Sequence, residues 1–335
     1  MKMVFAGIDV GSAENVVAVS HNKKIGKAKA FTNTPEGHLA LIKYLNPNKR
    51  KVRVCIEATG TYHFDLAVVL SKSKNIEVMV INPRAIKHFA QAFMERNKTD
   101  KIDASLLATA VEMLDFQEKF KLWNAPSETV LSFRACARRL TELGKQKARS
   151  KNQLHALIST LSTPEFVLGS VQQSIKNLEV QIDELEQYAL SLVQQDAKLL
   201  KAFELIITIK GIADKSAISI LGELLILPED MTARQWVAHA GLDPRHHTSG
   251  KSVEKKARLS KAGNKYLRHA LFMPSLSAIR HHRCVKEYFN HLVEDLSKRK
   301  MQAICAVMRK LLHAIHGMLK SGTAFDDSRF YAVTK

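Results

Sequence analysis

Four carboxylates are the residues of this 335-residue chain whose types and spacing could do chemistry together. The stretch Asn97-Lys98-Thr99-Asp100-Lys101-Ile102-Asp103-Ala104 sets two of them three residues apart. Leu106, Leu107, Ala110 and Leu114 follow at helical spacing, and Thr99 stands where an N-cap would. Asp100 and Asp103 then share one face of a first helical turn. Acids there complement the helix dipole in any helix. Side by side they also repel, and a divalent cation is the usual relief. Asp9 closes an apolar run at residues 4–8, and Glu57 closes another at 52–56. An acid after a strand can be a plain turn residue, but ligand sites of α/β sheets sit at such strand ends. Four converging carboxylates require cations. With one or two Mg2+ or Mn2+ ions they form an all-oxygen clamp suited to phosphodiester chemistry.

The elements that must position these acids follow from the pattern. Residues 4–8, 16–20 and 27–32 read as three successive strands, a β-meander with Asp9 on its first, central strand. A helix over 39–45, a strand over 52–56, a helix over 63–70, a strand over 77–81 and a helix over 86–94 lead into the Asp100/Asp103 helix. The stretch Gly7-Ile8-Asp9-Val10-Gly11-Ser12 also looks like the first phosphate loop of actin-like sugar kinases, whose core shares this ribonuclease H-like topology. The further Gly-rich motifs that a kinase would need are not found downstream.

Pro126 ends the first domain, expected over 1–125. A helical, coiled-coil segment is expected over 126–200. Its first part is basic, with Arg134, Arg138, Arg139, Lys145, Lys147, Arg149 and Lys151. Beyond Pro164, Ile175, Leu178, Ile182, Leu185, Ala189 and Leu192 step by three and four, an a/d seam. An antiparallel hairpin, a dimerising coiled coil or a plain bundle would each use it. A mainly helical domain is expected over 201–335. It opens on residues 205–217, which resemble a helix-hairpin-helix, a motif whose backbone N–H groups hold a DNA phosphate. An ordinary αα-turn is the alternative, since Gly211-Ile212-Ala213 departs from Gly-Ile-Gly.

Residues 241–252 read as a polar, turn-rich loop containing Arg245, Thr248, Ser249, Gly250 and Lys251, with Arg258, Lys261, Lys265 and Arg268 beyond. A serine among such cations is either a turn residue or a place where phosphate docks. No His/Asp partner at triad spacing marks it as a nucleophile. Residues 285–319 read as a basic helix and 326–335 as a loose end.

The net charge of +19 and a pI near 9.8 point to a polyanionic partner, nucleic acid first. No long apolar run and no signal peptide stand in the sequence, so no membrane partner is expected. Cys55, Cys136, Cys284 and Cys305 lack paired spacing and read as reduced thiols of a cytoplasmic protein. His281, His282 and Cys284 read as a solvated helix face rather than a zinc site.

In this order the acids, the helical linker, the hairpin-like motif and Gly241-Leu242-Asp243-Pro244-Arg245…Thr248-Ser249-Gly250-Lys251 resemble one family. It is the DEDD transposases of the insertion-sequence family that includes bridge-RNA-guided recombinases and Piv-type DNA invertases. The resemblance spans nearly the whole chain and is carried most by residues 97–104 and 241–250. It implies an N-terminal RuvC-like domain in which Asp9, Glu57, Asp100 and Asp103 bind Mg2+ (or Mn2+). It implies a C-terminal transposase domain whose nucleophilic serine maps to Ser249, with Thr248 where the family often has the first of two serines. Lys98, Lys101, Arg245, Lys251, Arg258, Lys261, Lys265 and Arg268 are the expected nucleic-acid contacts. The partners implied are donor and target DNA, a noncoding bridge RNA, and further copies in a homodimer or homotetramer, at the nucleoid of a prokaryotic cytoplasm. Four other readings stay open: a metal-dependent, resolvase-like nuclease, a DNA invertase without an RNA guide, a DNA-binding or assembly protein without catalysis, and the actin-like kinase, which ATP binding would select.

Overall fold

A computed structural model of the chain describes residues 3–21, 23–46, 50–58, 62–92, 99–249 and 253–331, with the side chains of 246–249 and 253–257 outside that description. It divides into two units, Met1–Ala125 and Pro126–Lys335.

In the first unit, runs of apolar residues build one sheet. Its strands are β1 (Val4–Val10), β2 (Glu14–His21), β3 (Lys24–Ile25), β4 (Lys29–Thr32), β5 (Val52–Glu57) and β6 (Ile76–Ile81). The helices are α1 (Pro35–Leu45), α2 (His63–Ser71), α3 (Pro83–Ala92) and α4 (Asp100–Phe116). Strand order is β3-β2-β1-β5-β6, with β4 also on β2. β1 runs antiparallel to β2 and parallel to β5, which is parallel to β6. This is the expected ribonuclease H-like order, a meander followed by parallel strands, with β1 in the centre.

The central strands β1, β2 and β5 are covered on both faces, so each residue's parity decides its neighbours. Val4, Ala6, Ile8 and Val10 join Val54, Ile56, Leu41 and Leu66 in one core. On the other face Phe5 and Cys55 pack with Leu107, Ala110 and Val111 of α4, and Val16 and Ala18 with Ala104 and Ala108. Gly7 permits this seating. A β-carbon there would collide with the Ala104 carbonyl oxygen and the Ala108 backbone nitrogen. The far end of α4 is tied down as well. Ser20 donates to Glu112 at 2.6 Å, and Asp115 pairs with Arg53. Both Ser20 and Arg53 lie opposite Phe5 in register. The C-terminal end of α4 therefore lies at the start of β1, and its first turn lies where β1 ends.

The second unit is mainly helical: α5 (Glu128–Ile158), α6 (Glu165–Gln195), α7 (Ala197–Ile207), α8 (Asp214–Leu224), α9 (Ala233–Ala240), α10 (Lys265–His281), α11 (Arg283–Asn290) and α12 (Lys300–Ser321). α5 and α6 form a hairpin. Ile175, Ile182, Ala189 and Leu192 of the seam are buried, and Lys147 and Lys151 reach Glu179 at 3.0 and 3.7 Å. Phe133, Leu140 and Ile182 share one core with Phe203, Leu221, Leu271 and Leu311, so the segment 126–200 packs into the same body as 201–335.

Between α7 and α8 the chain turns through Gly211 at φ +100°, where a β-carbon would strike Ser277 of α10. The expected loop at 241–252 is instead an antiparallel hairpin of β7 (Pro244–Ser249) and β8 (Val253–Leu259). The expected loose end is anchored by Phe330, 3% exposed, against Tyr288 at 6.0 Å. His282 is not solvated either. Its side chain is 9% exposed and lies edge-on to Phe325 at 4.9 Å. All four cysteines are free thiols. Among the described residues no helix is long and apolar enough to cross a membrane.

Gly7→Val should force α4 off the sheet and destabilise the first unit by about 3 kcal/mol, the upper range for overpacking. Calorimetry of the full chain should show one transition moved down and the helical unit's transition unmoved.

Candidate active site

Asp9 is the second-last residue of β1 and Glu57 the last of β5. Ile8 pairs with Ile56 in the parallel register, so the two acids follow on neighbouring strands, about 4.8 Å apart at the backbone. Both have the parity of Gly7 and Cys55 and thus belong to the face that α4 covers. Ala104 lies on Gly7. From there Asp100 is four residues back along the helix, about 6 Å. Asp9 is two residues on along the strand, about 7 Å. The first turn of α4 therefore comes level with Asp9 at one sheet edge.

Thr99 caps that turn as expected, accepting from the Ile102 amide at 3.3 Å. Asp9, Glu57 and Asp103 are half-buried there, and Asp100 and Lys101 are exposed. Lys98 lies outside the described residues. The donors are all carboxylate oxygens, which in kind suits a hard divalent cation such as Mg2+ or Mn2+. Among the described residues, no three acids, histidines or cysteines are gathered closely enough to share a metal ion. Cys55 beneath them is inert: burial, then the charge of Glu57, pushes its thiol up to about 12.

The second set of expected residues stands on the β7–β8 hairpin. Ser249 ends β7 opposite Val253, and Thr248 lies opposite Glu254. The side chains of Thr248 and Ser249, and Lys251 altogether, lie outside the described residues. The foot of the hairpin is closed by Ser260, whose amide donates to Asp243 O at 2.9 Å and whose hydroxyl donates to Asp243 Oδ1 at 2.6 Å. The Lys261 amide donates to Gly241 O at 3.1 Å. Arg245, Arg258, Lys261 and Lys265 are exposed. Arg268 is not on the surface with them. It is half-buried, and its Nη1 donates to Ala240 O at 2.8 Å, capping α9.

Behind the hairpin is a polar centre that sequence reading missed. Glu223 of α8, 1% exposed, accepts from Arg138 Nε at 2.6 Å and Nη2 at 3.1 Å, and from Asn264 Nδ2 at 2.7 Å. Arg134 lies 3.6 Å away. Burial alone would raise the Glu223 carboxyl. The hydrogen bonds of Arg138 and Asn264 and the two guanidinium charges outweigh it and hold the group below its ordinary value. Asn264 caps α10 through Tyr266 N and Leu267 N at 2.9 and 3.1 Å, and its own amide donates to His239 O at 2.7 Å. One residue thus joins α8, α9, α10 and the return of β8. The available signals were an acid inside the apolar run of α8 and two arginines four apart on α5.

Residues 6–162 match the DEDD transposases of IS110, and residues 203–290 match the transposases of the IS116/IS110/IS902 family. The pilin gene-inverting proteins of Moraxella bovis and Moraxella lacunata are each 30% identical over 338 residues, covering 97% of this chain and 98% of theirs. Among solved structures, T. thermophilus RuvC in complex with a Holliday junction substrate aligns with 36% of this chain and 99% of its own, at 15% identity and a TM-score of 0.31.

His239 gives the polar centre a pH signature. Burial depresses its pKa, Glu223 opposes this, and Arg134 and Arg138 add to it. Its Nε2 lies 3.4 Å from Asn264 Nδ2, a donor, so the ring nitrogen there is an unprotonated acceptor. The unfolded chain takes up a proton below about pH 6.5 and the folded one resists. Stability from this group is full above that pH and is lost as pH falls below it. Urea midpoints of the helical unit should drop between about pH 7 and 5.5. His239→Gln should lessen the drop without removing it, because burial depresses His282 and His313 as well.

Proposed function

The chain belongs to the IS110 family of transposases and is a DNA-rearranging enzyme, and we propose that it cuts and rejoins DNA through a phosphoserine link formed by Ser249. Asp9, Glu57, Asp100 and Asp103 complete the site in this reading. The observation that supports it most is the shared sheet edge: Asp9, one residue before the end of β1, lies beside Glu57, the last residue of β5, and α4 is seated so that its acidic first turn comes level with the same edge.

The four carboxylates would hold Mg2+ or Mn2+, which supplies positive charge against the phosphodiester. The Ser249 hydroxyl attacks phosphorus in line. A serine oxygen–phosphorus bond forms as the bond to a deoxyribose oxygen breaks. The serine proton leaves to a carboxylate oxygen, and the departing deoxyribose oxygen takes up a proton. A deoxyribose hydroxyl of another strand then attacks the phosphoserine, releases Ser249 and restores a phosphodiester. Two bonds are exchanged for two of the same kind, so no nucleotide hydrolysis is needed.

The acids of one copy would serve the serine of another in a homodimer or homotetramer. A noncoding RNA of the element would pair with donor and target DNA, and the charge of +19 suits RNA and DNA together. The protein would act at the nucleoid, in the cytoplasm. A second reading, DNA inversion without an RNA guide, draws on the full-length likeness to pilin gene-inverting proteins.

The purified chain, Mg2+, DNA bearing the element ends, and the RNA transcribed from the flanking DNA should yield a protein–DNA adduct on a denaturing gel. Ser249→Ala and Asp9→Asn should each reduce it about a thousandfold or more. Cleavage without adduct, undiminished in Ser249→Ala, would replace the serine by water and make this a metal-dependent nuclease. An adduct that forms equally well without RNA would select inversion.

A further inference from the structure

Arg245 of β7 and Arg258 of β8 face each other directly in the hairpin register, and both are exposed. Directly opposed residues of an antiparallel pair lie about 5 Å apart at the β-carbon, and like charges there destabilise the pairing. An isolated two-stranded hairpin is marginal to begin with. Among the described residues neither guanidinium is ion-paired, although the chain pairs arginine with acid elsewhere, as in Arg283–Glu287 and Arg53–Glu77. The register makes relief from the hairpin itself harder. It shifts between Arg245 and His247, so the backbone pairing beyond the two arginines runs His247 to Lys255 and Ser249 to Val253. Position 254, the only acid in the sequence of either strand, pairs in register with position 248 and with neither arginine. The foot is fixed by Asp243–Ser260 and Gly241–Lys261, so the two arginines cannot drift apart by fraying.

We propose that Arg245 and Arg258 form a clamp for one DNA phosphate, separate from the phosphate under attack. This rests on the reading that Ser249 is the nucleophile. Two guanidinium forks set side by side match the oxygens of a single phosphate, and the anion removes the repulsion between them. Position 249 lies four residues along the same strand, about 13 Å at the strand rise. With about 3.4 Å of duplex axis per nucleotide, the clamped phosphate is within three or four nucleotides of the one that Ser249 attacks. The contact is to the backbone, so it sets the distance between the held and the cut positions and reads no base.

The test uses the full-length chain and a short fluorescent duplex of arbitrary sequence, titrated over a range of NaCl concentrations. Arg245→Gln and Arg258→Gln should each weaken binding about tenfold, the worth of a charge-assisted contact. Each should also lower the salt slope by about one phosphate. The double variant should be scarcely weaker than either single one, because all three lose the same contact. The melting temperature of the free protein should hold or rise in the single variants, since a repulsion is removed. Additive losses in the double variant would overturn the clamp in favour of two separate contacts. Unchanged affinity with a lower melting temperature would overturn it in favour of a structural role. Because this readout is binding, it is independent of the serine. If Ser249→Ala still formed adduct, the nucleophile would be refuted while the salt slopes would still decide the clamp.

Discussion

The first unit depends on a missing β-carbon. Helices normally ride on a sheet about 10 Å away, held off by side chains. At Gly7 the helix backbone comes down onto the strand, and Ala104 and Ala108 of α4 are small for the same reason. This close seating is costly to disturb, because backbone cannot yield as a side chain can. It fixes the height of α4 over β1. The anchors at Glu112 and Asp115 fix its direction. Together they decide where the first turn ends up, and so where Asp100 and Asp103 stand relative to Asp9 and Glu57. Apolar contacts elsewhere on the same elements, not the acids themselves, set these positions.

Much of this was legible in the sequence because it is local. Asp9 follows an apolar run and Glu57 a mostly apolar one broken only by Arg53, and Thr99 precedes a helical pattern at the spacing a cap requires. The hairpin at 244–259 was not legible. Pro244-Arg245-His246-His247-Thr248-Ser249 has almost no apolar alternation, and its partner strand pairs with an irregular register. Its fixed points, Asp243–Ser260 and Gly241–Lys261, lie outside the strands. The anchored tail was hidden for a related reason. One aromatic residue, Phe330, outweighs the polar run around it, and single anchors leave no period to read. Glu223 was missed because its partners come from 85 and 41 positions away.

Arginine takes two opposite parts in the second unit. Arg134 is drawn largely inside, where burial lowers its pKa, and the half-buried Arg138 stands beside it; Glu223 faces both charges. Arg245 and Arg258 stay outside, set against each other in register, and among the described residues neither is ion-paired. The buried pair contributes definition: Glu223 can satisfy two arginines and Asn264 in only one arrangement of α5, α8 and α10. The exposed pair contributes nothing to folding that an uncharged pair would not.

The two arrangements also belong together. A repulsive pair on a short hairpin can persist only if its base does not depend on the hairpin for stability. Here the strands enter and leave through 241–243 and 260–264, and the second of these spans ends on Asn264, which Glu223 holds. Asn264 in turn caps the long helix α10, so the return of β8 is tied to the largest apolar core of the chain. The hairpin is therefore built as an appendage on a rigid foot, able to present a strained charge pattern outward because its anchorage lies elsewhere. Ser249 stands at the far end of that appendage. Its position along bound DNA would be fixed by what the foot holds, about 13 Å of strand away, rather than by any contact of its own.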